Sequence, residues 1–436
     1  MMRVATRQFI SSTLQGFVLL LTIYSLPACL ANAEDAHSAD AFVDSVGLNI
    51  HLHDGDTPYG NFPAVEKALR ALGIRHVRDG LIDTQWMPYY DRMNALGRDG
   101  IKCIFITNPH QPVELLQSYP DRMKDSFEGY EAPNEYDNSQ DTHRVATLTH
   151  FLPTLASAVK TIPHGSAFPI IGPSFVHNES YSLFPRTSQY FAFSNLHNYF
   201  AGRNPGTSGW GDDGYGSLTW DIDLVTRAWP GLPIVTTETG YQTDTTNPQG
   251  IPESVEAKYL PRLLLEQYSH GIRRTYLYEL VDVLIPQQDI HSTFGLVRSD
   301  FSPKPAFLSI QHLISLLADP GTPFAPSSLS FTLSGELSNV HHLLFEKRDG
   351  TYLIAIWQEV PSYDVNSKRM LPVSPQHVIV AFPSVFSIEQ NRLNDDGSLT
   401  VQNIGVTSHA VIAVDDRVTL LKLTTSSASQ QTARSK

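Results

Sequence analysis

Cysteine is nearly absent: Cys29 and Cys103 are the only two in 436 residues. Cys29 lies in an N-terminal leader, so the mature chain cannot form an intrachain disulfide and must hold by packing and polar contacts. Long apolar runs are missing as well. The one candidate, Gly16 to Leu26, is too short to span a bilayer. It follows Arg3 and Arg7 and precedes Ala31-Asn32-Ala33, a small-x-small cleavage pattern. Residues 1–33 therefore read as an export signal, which makes a secreted or periplasmic protein the expectation. "LPAC" (26–29) also resembles a lipoprotein box with Cys29 as the lipidated residue, although its proline makes it a poor one. An exported chain without disulfides fits a bacterial source better than an animal one. Positive charge is scarce too, with 31 Lys and Arg against 44 Asp and Glu and a net charge of −13. The leader holds two positive residues and no acid, so the mature chain sits near −15 (−13 minus 2). That balance argues against nucleic acid and anionic membranes as partners and is compatible with a neutral substrate. A monomer is expected.

What is present is alternation. Short apolar segments recur at 46–52, 74–80, 101–107, 127–135, 169–174, 193–200, 233–240 and 274–280, with amphipathic stretches such as 62–73, 145–160 and 255–271 between them. Eight strands, each followed by a helix or long loop, predict a (β/α)8 TIM barrel over 34–320. After Pro320 the pattern turns β-rich at 329–335, 341–357, 377–382, 398–405 and 410–423, with Arg348-Asp349-Gly350 as a hairpin turn. A C-terminal all-β sandwich over 321–424 is expected, followed by a polar, disordered tail at 425–436.

In such a barrel the functional residues gather where strands end. Those positions hold Asn49, His51 and His53; Arg78 and Asp79; Asn134 and Glu135; His197, Asn198 and Tyr199; Glu238; Glu279 and Asp282. Along the first strand Leu48, Ile50 and Leu52 share the face that should meet helices, while Gly47, Asn49 and His51 share the lining face. Glu131 lies a step deeper than Glu135 and is expected to be a hydrogen-bonding barrel residue or a loop carboxylate and not a catalyst. Glu135 and Glu238 end the fourth and seventh strands. Two carboxylates facing each other across a polar barrel mouth suit glycosidic bond cleavage, one as proton donor and the other as ionised nucleophile or base.

Asn134-Glu135 at the end of strand four and Glu238 at the end of strand seven resemble the clan A glycoside hydrolases, the 4/7 superfamily of retaining (β/α)8-barrel glycosidases. The resemblance covers about residues 46–310. It implies double displacement on a poly- or oligosaccharide, with Glu135 as acid/base, Glu238 as nucleophile and Asn134 on the sugar 2-hydroxyl. "LGIRHVRDG" would put Arg78 beside the nucleophile, and "HNYF" would bring His197 and Tyr199 against it or the sugar. "FGLVRSDFSPKPAF" (294–307) is similar to the clan's end-of-barrel segment. Strand eight departs: clan members often carry a tryptophan there, "TYLYELVD" has none, and Tyr278 or Glu279 would substitute. Asn49 and His51 join the expected sugar contacts. Trp210, on the Gly-rich loop 201–217, is the candidate for stacking on a pyranose face. No cofactor or metal is implied.

Two rival readings remain open. His51-x-His53 ending a first barrel strand is the opening ligand pair of metal-dependent amidohydrolases, with His177, His197 and Asp282 as further candidates. Strand five ends without a ligand in that scheme, and Glu238 has no role. A non-catalytic carbohydrate-binding protein is the other rival, and it would be expected to have lost one of the two glutamates. The metal question is directly measurable. Elemental analysis of the purified protein should find no stoichiometric zinc or manganese; about one equivalent with chelator-sensitive activity would favour the amidohydrolase.

Overall fold

The computed structural model of the protein describes residues 32–82, 86–184, 187–283 and 293–425. Most of the expected leader, Cys29 included, and the tail from 426 fall outside the described residues. Eight parallel strands follow one another in chain order: Val46–Asn49, His76–Gly80, Lys102–Ile106, Phe127–Glu131, Ile170–Ile171, Ser194–His197, Ile234–Thr239 and Arg274–Leu277. The first pairs with the eighth, Gly47 opposite Tyr276. The fifth and sixth meet at Ile171 and Phe193, where the Gly172 N–H donates to the Phe193 carbonyl at 2.8 Å. The ring is therefore closed, a (β/α)8 barrel.

Each strand lies inside its predicted segment and is shorter. The fourth shows why: it stops at Glu131, two residues before Pro133, which has no N–H for a ladder. Asn134 and Glu135 thus stand on the loop beyond the strand. The helices match their patterns at Phe62–Leu72, Arg144–Thr161 and Glu253–Ser269. The first of these ends at Gly73, whose φ of 75° is a left-handed turn that costs glycine nothing. On the first strand Leu48, Ile50 and Leu52 are buried, as their shared face predicts. A side chain at Gly47 would stand 2.4 Å from the Tyr276 ring. That ring packs with Ile104, Ile171 and Val235 as an apolar plug, and the polar residues collect above it.

The second unit is all β. The hairpin Val340–Glu346 with Tyr352–Gln358 turns where Arg348-Asp349-Gly350 predicts. Two segments differ from the sequence pattern. The run at 377–382 continues as one strand, Gln376–Leu393, and 398–405 and 410–414 merge into Leu399–Val414. Register shifts around 382–385, where Pro383 stands, and at 388–389 absorb residues that read as interruptions. The first half of Gln376–Leu393 lies between Ser328–Gly335 and Leu399–Val414, and its second half lies between Leu399–Val414 and Thr419–Thr425. Crossing over this way encloses Ile354, Ile356, Val378, Val380, Ile388 and Leu421 in a sandwich core.

The first described residues belong to this second unit. Asn32–Asp35 runs antiparallel to 328–331, and His37–Ser38 runs parallel to Phe345 and Glu346. Asn32 and Ala33, the last residues of the expected leader, are thus the first two of a strand. Helix Glu253–Ser269 is buried along most of its length between barrel and sandwich, and several of its polar residues find partners there, although the Glu256 carboxyl has no hydrogen-bond partner among the described residues. Arg262 holds Glu359 by two bonds, Nη2 to Oε1 at 2.6 Å and Nε to Oε2 at 2.8 Å, and Lys258 reaches Asp416 at 2.9 Å. Arg262→Met leaves Glu359 buried without its cation and should cost about 3–5 kcal/mol in denaturant unfolding. Arg70→Met, which loses only the exposed Asp99 pair at 3.5 Å, should cost less than about 1 kcal/mol.

Candidate active site

The site is organised around Arg78, from the second strand, which is 2% exposed. All five of its guanidinium N–H groups are engaged. Nε and Nη2 bond Glu131 at 2.6 and 2.8 Å, Nη1 bonds Glu238 at 2.6 Å and Asn49 at 2.8 Å, and Nη2 bonds Asn134 at 2.7 Å. Glu131 is fully buried beneath it and also accepts from Asn195 and Thr237, both at 3.1 Å. It is a hydrogen-bonding barrel residue, the first of its two expected roles. Asn49 also donates to the carbonyls of Thr237 and Leu277, tying the first strand to the seventh and eighth.

Glu238 points up from the seventh strand. Its Oε1 meets Arg78, and its Oε2 accepts from the Tyr199 hydroxyl at 3.0 Å with His197 Nδ1 3.7 Å away. Burial alone would raise its pKa. The neighbouring charges of His197 and Arg78 and the bonds from Arg78 and Tyr199 outweigh burial and hold the carboxyl at about 2. Glu135 stands opposite, half-buried, with Oε1 2.8 Å from His197 Nδ1. Its backbone is left-handed, φ 44°, and its N–H donates to the Ser174 hydroxyl at 3.3 Å. Two residues on, Asp137 accepts from the N–H groups of Val176 and His177 and from the Ser180 hydroxyl, fastening this loop to the segment after strand five. Glu135, His197 and Glu238 each offer an atom within 4.8 Å of the others.

A cavity of about 530 Å³ opens above this group. Asn49, His51, Arg78, Asn134, Glu135, Tyr199, Glu238 and Tyr278 line it, all expected from the sequence. The structure adds His53 and Asp79 to the wall, residues visible at strand ends but not then assigned to sugar binding. Three expected contacts lie outside the lining: His197, which sits between Glu135 and Thr237, Glu279 and Trp210. Glu279 sits buried behind His51, accepting from the Tyr59 hydroxyl at 2.9 Å, with His51 Nε2 3.2 Å away. The peptide joining it to Tyr278 is cis. Trp210 is 46% exposed and outside the cavity lining, with the Arg203 guanidinium 3.2 Å over its ring. Ser174 and Asp137 were missed, because nothing local marks a side chain that serves another loop.

Two groups among the described residues could offer a cation three ligands: His51, His53 and Asp54, and Glu135, His197 and Glu238. The wider amidohydrolase set does not assemble. Asp282 is paired with Lys304 at 2.9 Å, and His197 lies between Glu135 and Thr237.

No family model matches the chain, and no curated protein does. Solved structures do. The chain is similar to a family 39 glycoside hydrolase from Bacteroides cellulosilyticus WH2, at 15% identity and a TM-score of 0.63 over 89% of this chain and 83% of that one. A glucosidase from Croceicoccus marinus matches at 12% identity and TM-score 0.59, over 91% and 98% of the two chains. A monomeric β-xylosidase from Caulobacter crescentus CB15 matches at 14% and 0.57, over 90% and 98%. At these identities the likeness establishes the fold, barrel and β domain together.

His53 gives a pH test of the wall. Burial disfavours its charge, but Asp79, 2.6 Å from Nδ1, outweighs that and raises the imidazole to about 9. A raised pKa stabilises the fold fully below about 6.5, and that contribution is lost as pH rises through about 9. An NMR titration should place the His53 midpoint near 9, and Asp79→Asn should bring it down to 6.5 or below.

Proposed function

We propose that the protein is a retaining glycoside hydrolase of the clan A type, exported from the cytoplasm and acting on a poly- or oligosaccharide. The observation that carries the proposal is the approach of Glu135 and Glu238, with carboxylate oxygens within 4.8 Å of each other. A retaining pair lies about 5–5.5 Å apart, whereas an inverting pair stands about 6.5–9.5 Å apart to admit a water. Environment divides the roles. Glu238, held ionised by Arg78 and aimed by Tyr199, attacks the anomeric carbon. Glu135, more exposed and next to His197, gives its proton to the leaving oxygen. It then takes a proton from the water that opens the glycosyl-enzyme. Asn134, oriented by Arg78, faces the cavity where the sugar 2-hydroxyl would lie. The similar folds named as a glucosidase and a β-xylosidase support sugar chemistry on this scaffold.

Glu238→Gln should abolish turnover on every substrate. Glu135→Ala should lose about 10²–10⁴-fold on natural glycosides yet keep activity on aryl glycosides with good leaving groups, which need little protonation. Azide should accelerate that variant by replacing water at the glycosyl-enzyme. Proton NMR of the first product should show the retained anomer; the inverted anomer appearing first would overturn double displacement.

A further inference from the structure

We propose that the sugar bound at this site is uncharged, a neutral glycosyl residue and not a uronate or a sulfate or phosphate ester; the inference rests on the glycoside hydrolase reading above. Anionic sugars are held by cations free to pair with them, most effectively by an arginine fork. Among the described residues that line the cavity, three carry or can carry positive charge: Arg78, His51 and His53. None has a charge to spare. Every N–H of Arg78 is committed, with Glu131 and Glu238 as its ionic partners. His53 Nδ1 faces Asp79 at 2.6 Å while its Nε2 lies 3.5 Å from Asp54. His51 Nε2 lies 3.2 Å from Glu279, which the Tyr59 hydroxyl fixes from the other side. Beneath the floor His197 adds a fourth potential cation, placed against Glu135 and Glu238.

The wall thus balances each cation with at least one carboxylate, and Glu238 and Glu135 themselves face the sugar. A second anion brought beside them would meet like charge in a partly desolvated site. Neutral hydroxyls have no such conflict. They can donate to the carboxylates of Glu135 and Glu238, which line the cavity.

The test is a panel of aryl glycosides in which neutral pentoses and hexoses stand beside aryl uronides and sulfated sugars, assayed with the full mature chain. The best neutral glycoside should exceed every charged one by at least about 100-fold in kcat/KM. A charged glycoside turned over as well as the best neutral one overturns the inference. If Glu238→Gln also removes that turnover, the glycoside hydrolase reading survives without it. Folded wild-type protein that cleaves no glycoside of either kind overturns the glycoside hydrolase reading itself.

Discussion

Arg78 is the constraint on which the polar mouth of the barrel depends. A guanidinium buried to 2% exposure is costly in isolation, and so are Glu131 at 0% and Glu238 at 12%. Together they are tolerable, because five donors meet four side chains in fixed directions. Glu131 receives two of those bonds and supports the fork from below. The remaining three hold Asn49, Asn134 and Glu238. One side chain therefore pairs with Glu238, orients the Asn134 amide beside Glu135, and ties together the first, second and seventh strands and the loop after the fourth.

The second carboxylate is positioned by different means. Glu135 has no guanidinium to hold it, and it stands on a loop that Pro133 separates from the strand. Its backbone is steadied by Ser174, and Asp137 anchors the same loop through three donors of the next segment. One glutamate is fixed in a charged cage and the other on a polar loop beside a histidine. The two chemically identical side chains thus sit in different electrostatic settings.

The β domain reaches this arrangement through one helix. From Glu253–Ser269, Gln267 accepts from Thr236 and donates to Asn198, neighbours of the strand ends that carry His197 and Glu238. Arg262, on the same helix, clasps Glu359 of the sandwich. Glu359 in turn accepts from Asn204 and the Gly206 N–H in the loop after strand six. The sandwich thus braces the loop that follows Tyr199, and barrel and sandwich share one polar seam.

Period and punctuation are local, and they were enough to show eight barrel strands, the helices ending at glycines, the β-rich second unit and Glu238 near the end of strand seven, whereas Glu135 stands on the loop beyond strand four. Trp210 shows the limit of composition, since a tryptophan on a glycine-rich loop does not say which way it faces. Partner choice needed the tertiary structure. Arg78 meets Glu131 and Glu238 across 53 and 160 positions of chain, and only closure of the barrel brings them together. Asn32 and Ala33 look like the end of a leader until the strand at Ser328–Gly335 provides a ladder for Asn32–Asp35. Glu279, expected as a strand-end sugar contact, lies behind His51, where Tyr59 donates to it from a distant loop. A residue's backbone state follows largely from its neighbours in sequence, whereas the charge it meets depends on contacts that exist only once the ring has closed.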